Sequence, residues 1–146
     1  MAVKPIPEGY HTFTPYFVVE GASEFIEFLK AAFDAVELMR MPGPGGKLGH
    51  AEVRIGDSAL MLADAHPPEQ EPRQLNGMLY VSDVDAVYAN AVALGARGIR
   101  PPENMFYGDR MSGVVDKWGN YWSIATHVED VAPEEMQRRM AALPHG

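Results

Sequence analysis

Residues 48–64 read Leu-Gly-His-Ala-Glu-Val-Arg-Ile-Gly-Asp-Ser-Ala-Leu-Met-Leu-Ala-Asp, and their reading decides the fold. Gly56-Asp57 is a tight-turn dipeptide between two strand candidates, Leu48 to Ile55 and Ser58 to Asp64, which is a hairpin signal. Toward the N-terminus, the Gly/Pro-rich stretch Pro42-Gly43-Pro44-Gly45-Gly46 makes an earlier turn, preceded by a strand over Val36 to Met41. Before that, Phe25, Ile26, Leu29, Ala32 and Phe33 recur at the helical period, which predicts a helix from about Ala22 to Phe33. Tyr16-Phe17-Val18-Val19 reads as a strand leading into it. The order is βαβββ.

The same order then recurs. Leu79-Tyr80-Val81 reads as a strand, and Ser82-Asp83-Val84-Asp85 as a capping box with an acidic third helical residue. The helix carries Val84, Val87, Tyr88, Ala91 and Val92 on one face and stops at Gly95. Strands follow near Gly98 to Arg100, Arg110 to Asp116 and Tyr121 to His127, with Gly119-Asn120 as the last tight turn. Val81 lies 63 residues after Val18, and Gly119 lies 63 residues after Gly56, as a duplication requires. The expected organisation is one α+β domain of two modules, about 10–64 and 76–128. Residues 65–75 form a Pro-rich, charged linker, and a short amphipathic helix spans about 133–143.

Composition narrows the function. The 146 residues, 47% of them hydrophobic, suffice for a core. Net charge is −8, with 12 basic against 20 acidic residues, and no basic stripe appears, so nucleic acid is not an expected partner. The absence of cysteine excludes disulfides, thiolate metal ligands and a cysteine nucleophile. No stretch reaches membrane-spanning length and the N-terminus lacks the apolar run of a signal peptide, so a cytoplasmic protein is expected.

Several segments carry a resemblance to a known family. They are Pro15-Tyr16-Phe17-Val18-Val19, Ile26-Glu27-Phe28, His50-Ala51-Glu52-Val53-Arg54-Ile55-Gly56-Asp57-Ser58, Leu60 to Asp64, Phe106-Tyr107-Gly108-Asp109-Arg110 and Ala125 to Val131. Together they resemble the PhnB-like branch of the vicinal oxygen chelate superfamily, which contains glyoxalases, bleomycin-resistance proteins and extradiol dioxygenases. The resemblance implies two βαβββ modules forming a curved half-barrel sheet with helices outside, a ligand cavity on the concave side, and a homodimer. One departure stands out. The usual family run D-P-F-G-H-x-W is here Asp116-Lys117-Trp118-Gly119-Asn120-Tyr121-Trp122, without its proline and histidine.

In glyoxalases the cavity holds a divalent metal. Matched motif by motif, its ligand positions fall on Thr14, Leu60, Asn76 and Ser123. None supplies the imidazole or carboxylate such a metal takes, so no cofactor is expected, with a divalent metal as the alternative.

Strand alternation puts His50, Glu52 and Arg54 on one face and Ala51, Val53 and Ile55 on the other. The polar trio should line the cavity. His50 and Glu52, about 6.5–7 Å apart between Cα atoms, are candidate catalytic groups, since a carboxylate beside an imidazole raises its basicity. A pair that merely holds the sheet is the plainer alternative, and a relocated metal site of His50, Glu52 and His127 is another. On the last strand Trp122, Ile124 and Thr126 should face the helices, and Ser123, Ala125 and His127 the cavity.

Arg54 and Arg110 could receive an anion, unless Asp109 neutralises Arg110. Tyr16, Met78, Tyr80, Phe106 and Tyr107 would form an apolar wall for a flat ligand, or plain core. His11 is expected near the cavity mouth, and His66 and His145 in solvent. The run Pro42 to Lys47 lacks the first glycine and the final Ser/Thr of a phosphate loop.

Three functions fit. The first is a metal-free protein binding an aromatic or anionic small molecule. The second is a lyase- or dioxygenase-like enzyme built on His50 and Glu52. The third is a partner-binding module.

Overall fold

The computed structural model describes residues 3–144, so His145 lies outside the described residues. The chain divides into two compact units between Leu75 and Asn76.

The first unit runs β1 (Tyr16–Val19), α1 (Ala22–Phe33), β2 (Val36–Pro42), β3 (Leu48–Ile55) and β4 (Ser58–Asp64). The second runs β5 (Asn76–Tyr80), α2 (Val84–Ala93), β6 (Arg97–Asn104), β7 (Asp109–Val115), β8 (Tyr121–His127) and α3 (Pro133–Ala141). The sheet orders are β1-β4-β3-β2 and β5-β8-β7-β6, so the second is the first repeated. In both, the first strand pairs parallel with the last and the remaining pairs are antiparallel. The α+β class and the duplicated βαβββ module agree with the sequence reading.

The core of the first unit lies between α1 and one face of its sheet. Phe25, Ile26, Leu29, Ala32 and Phe33 are all buried, together with Phe28, against Ala51, Val53 and Ile55 from β3. Each large apolar side chain so buried contributes about 1.5–3 kcal/mol. No local side chain caps α1. Instead Asp64, at the end of β4, accepts from Gly21 N at 3.0 Å and Ala22 N at 2.8 Å. Its second oxygen accepts from Leu48 N at 2.7 Å, so one buried carboxylate joins the helix start to β3.

Three details correct the sequence reading of the second unit. The expected capping box does not form, because the helix starts one residue later than that motif requires. Asp83 is the N-cap and accepts from Ala86 N at 3.1 Å, leaving Asp85 in the first turn. The strand β5 ends at Tyr80, one residue short of Val81, although Val81 N still donates to Ala125 O at 2.8 Å. The third element, β6, extends past Arg100 through Pro101 and Pro102. It is an edge strand with register shifts, where a proline sacrifices no needed hydrogen bond.

Helix α3 buries no residue. It is held by Arg139, whose guanidinium donates to Glu129 at 2.8 and 2.9 Å and to the Phe106 carbonyl at 3.0 Å. Gly108 sits beneath this contact with φ +102°, and its carbonyl accepts from Val128 and Glu129 N. Phe106, Tyr107 and Gly108 therefore form a loop that docks onto the segment after β8 and leads into β7 at Asp109.

Candidate functional site

Alternation along β3 turns Ala51, Val53 and Ile55 into the core and leaves His50, Glu52 and Arg54 on the opposite face, as expected. There His50 and Glu52 meet, Nε2 to Oε2 at 2.8 Å. The other ring nitrogen, Nδ1, lies 2.9 Å from the Tyr16 hydroxyl, and the two rings are tilted with centroids 5.6 Å apart. The remaining Glu52 oxygen accepts from the Tyr10 hydroxyl. The result is an unbroken chain, Tyr10–Glu52–His50–Tyr16, with its middle two members half-buried.

The proton positions follow from the charges. Bonding from Tyr10, and secondarily from His50, holds the Glu52 carboxyl below its usual range, so it is an acceptor only. His50 Nε2 must then carry a hydrogen, and in the neutral ring Nδ1 accepts from Tyr16. Burial, then the bond to Glu52, pushes the Tyr10 phenol up to about 12, so it remains an O–H donor. Burial and the Glu52 charge also raise Tyr16. Arg54 stands exposed on the same face, with no ion pair among the described residues.

A second polar set lies in the second unit. Asp109, buried at the start of β7, accepts from the Tyr80 hydroxyl at 2.8 Å and faces His127 Nδ1 at 2.8 Å. His127 Nε2 faces Asp130 at 2.7 Å. Asp109 first, and Asp130 second, raise the pKa of His127. A carboxylate at each nitrogen favours the protonated imidazole, which can donate to both.

Arg110 is bound twice by Asp85, at 2.8 and 2.9 Å, and once by Asn104 at 3.2 Å. The pairing with Asp109 weighed from sequence does not occur, because adjacent residues on a strand point to opposite faces. Its guanidinium is already engaged, so the anion receptor is left with Arg54.

The expected aromatic wall divides. Tyr16, Met78 and Tyr80 are exposed, while Phe106 and Tyr107 pack edge to face at 5.2 Å and are half-buried. The Tyr107 hydroxyl points to Met111 Sδ at 3.2 Å. Ser123 is half-buried on β8, and Thr126 turns toward α2, where its hydroxyl accepts from Val84 N at 2.9 Å. A cleft of about 130 Å³ is lined by His11, Phe13, Thr14, Pro15, Ser58 and Ala59; the His50–Glu52 pair does not line it.

The residues present do not fit a glyoxalase-type metal. Of its four positions, Leu60 is a buried aliphatic, and Thr14, Asn76 and Ser123 offer only neutral oxygens. His50, Glu52 and His127, the alternative metal set, are each engaged within their own unit. The first two bind each other, and both nitrogens of the third are taken by aspartates. Among the described residues no three His, Cys, Asp or Glu side chains gather to hold a metal ion.

This repeated βαβββ arrangement matches a family model over residues 11–124, described as the glyoxalase/bleomycin resistance protein/dioxygenase superfamily. The chain belongs to that superfamily. An uncharacterized protein of Mycobacterium bovis is 38% identical over 143 residues, covering 91% of this chain and 94% of the relative. Among solved structures, TioX from Micromonospora sp. ML1 superposes with a TM-score of 0.68 at 22% identity. That match covers 81% of this chain and 99% of TioX. The PhnB protein of Bacillus cereus gives a TM-score of 0.61 at 18% identity, covering 80% and 99%. These two likenesses establish the fold. Within this superfamily member no described helix is long and apolar enough to cross a membrane.

Tyr10 and Asp109 are the site residues that sequence reasoning missed. Tyr10 lies 42 residues from Glu52 in a segment without periodicity, so nothing local pointed to it. Asp109 was visible in the Phe106–Arg110 motif, and strand alternation would have separated it from Arg110.

Proposed function

We propose that this superfamily member binds a small aromatic molecule bearing a polar group, on the His50–Glu52–Arg54 face of its first sheet, without a glyoxalase-type metal. The observation that carries this reading is the Tyr10–Glu52–His50–Tyr16 chain on the face turned away from the core. It offers a carboxylate acceptor and a free guanidinium at Arg54 on β3, and an exposed aromatic edge at Tyr16 on β1, two strands away in the same sheet, which is how small-molecule sites fix an orientation. The family description spans enzymes and resistance proteins, so membership does not choose between them; the donor chemistry at Thr14, Leu60, Asn76 and Ser123 favours binding without metal.

An acid–base enzyme is the second reading, favoured by the orientation of His50 by Glu52. It is the weaker one. The Nδ1 lone pair that would take a proton is already satisfied by Tyr16, whose own pKa is raised. A homodimer, expected from the resemblance, belongs to the same proposal and is measurable by light scattering.

The test titrates untagged protein, purified without chelators, with aromatic ligands and with Zn²⁺ and Ni²⁺. Melting temperature and the NMR signals of the His50 ring are followed. Aromatic ligands should shift His50, His50→Ala should weaken them at least about tenfold, and the metals should leave melting unchanged. Stoichiometric metal in the purified protein, or binding indifferent to His50, overturns the proposal.

A further inference from the structure

The segment before β1 is tied down by few bonds. Tyr10 N donates to Pro7 O at 3.1 Å, closing a turn in which Gly9 takes φ +84°, and Met61 N donates to Pro15 O at 2.9 Å. Between these anchors the Tyr10 hydroxyl reaches Glu52. Residues 3–15 form no helix or strand, and Val3 and Phe13 are 89% and 81% exposed. Tyr10 alone among its aromatic neighbours in the segment turns inward and is half-buried. A cleft of about 130 Å³ lies between His11–Pro15 and the start of β4.

We propose that Tyr10 is an internal surrogate for the ligand. Its phenol occupies the place on Glu52 that a phenolic ligand takes, and residues 3–14 form the strap that yields to it. This rests on the binding reading above and names its ligand class. The Glu52 oxygen accepts a charge-assisted hydrogen bond from a neutral phenol. An aryl ether has no hydrogen to offer there, and an aromatic carboxylate is repelled. A tethered phenol competes at high effective concentration, so it lowers the apparent affinity for an added phenol. Its removal should raise that affinity about tenfold, the worth of one modest charge-assisted bond.

The experiment titrates p-cresol into the full chain, Tyr10→Ala and Tyr10→Phe, with 4-methylanisole and toluene as probes lacking the hydroxyl. Signals are read at the His50 ring and at the backbone amides of residues 3–14. The expected result is that p-cresol shifts His50, releases the strap amides, and binds Tyr10→Ala about tenfold tighter than wild type. Tyr10→Phe should show part of that gain, and the two probes should gain little. Equal p-cresol affinity in all three proteins, or an equal gain for 4-methylanisole, overturns the surrogate and leaves the binding reading standing. The same holds if another aromatic shifts His50 and p-cresol does not. If no aromatic moves His50 in any of the three proteins, both readings fall.

Discussion

Asp116→Ala is expected to cost about 3–5 kcal/mol of folding free energy. One oxygen accepts from the backbone N–H groups of Trp118 and Asn120, each at 2.9 Å. The other accepts from Trp122 Nε1 at 2.8 Å and Asn120 Nδ2 at 3.1 Å. Asp116, Asn120 and Trp122 are 4%, 1% and 4% exposed, so the donors that the carboxylate serves are shielded from bulk water. The two side-chain donors lose charge-assisted bonds of about 1.5–3 kcal/mol each, and partial relaxation of the turn trims the upper end of the sum. Asp116→Asn keeps the volume but turns an NH₂ toward N–H donors, and should cost about 2–3 kcal/mol. Urea unfolding followed by tryptophan fluorescence reads both. A loss below about 1 kcal/mol for the alanine variant, at unchanged denaturant slope, would refute the reasoning. The result bears on function as well. Asn120 stands where the usual family run has histidine, and here that position serves the turn that sets the register of β7 and β8.

Gly108→Ala should destabilise by about 2–4 kcal/mol in the same assay, since it combines a disallowed φ with a backbone clash. Its Cβ would lie 2.2 Å from the Glu129 carbonyl oxygen at φ +102°, and an unchanged midpoint would mean the loop moves freely. Tyr10→Phe should raise the Glu52 pKa, read by carboxyl ¹³C shifts on acid titration, because Tyr10 is the largest cause of its depression. A depressed carboxylate contributes stability above its unfolded value of 4.5 and loses it as pH falls through the folded one, so Glu52→Gln should flatten that acid limb. His127 has the opposite sign. Its contribution is complete below 6.5 and is lost as pH rises through its raised folded value; denaturation midpoints from about pH 5.5 to 9 should decline less in His127→Gln than in wild type.

Much of the second unit's difference from expectation comes from its edge. The strand expected near Gly98 to Arg100 continues through Pro101 and Pro102 to Asn104. Only the pairing with β7 shows that this strand lies at the sheet margin, where two prolines are tolerated. The capping residue of α2 was misplaced for a related reason. Ser82 and Asp83 are both good caps, and the choice between them depends on where β5 leaves the sheet.

By itself the sequence determined the order of elements, the duplication, and which side chains of β3 turn away from the core. These follow from backbone periods and turn chemistry that act over a few residues, so a spacing of two put His50 and Glu52 on one face, where they could meet. Tertiary structure alone decided the partners of everything else. Arg110 reaches Asp85 instead of Asp109, Asp64 caps a helix 42 residues before it, and Tyr10 closes on Glu52 across a similar gap. Such contacts join segments whose proximity is set by strand pairing and helix packing, and no local period encodes it.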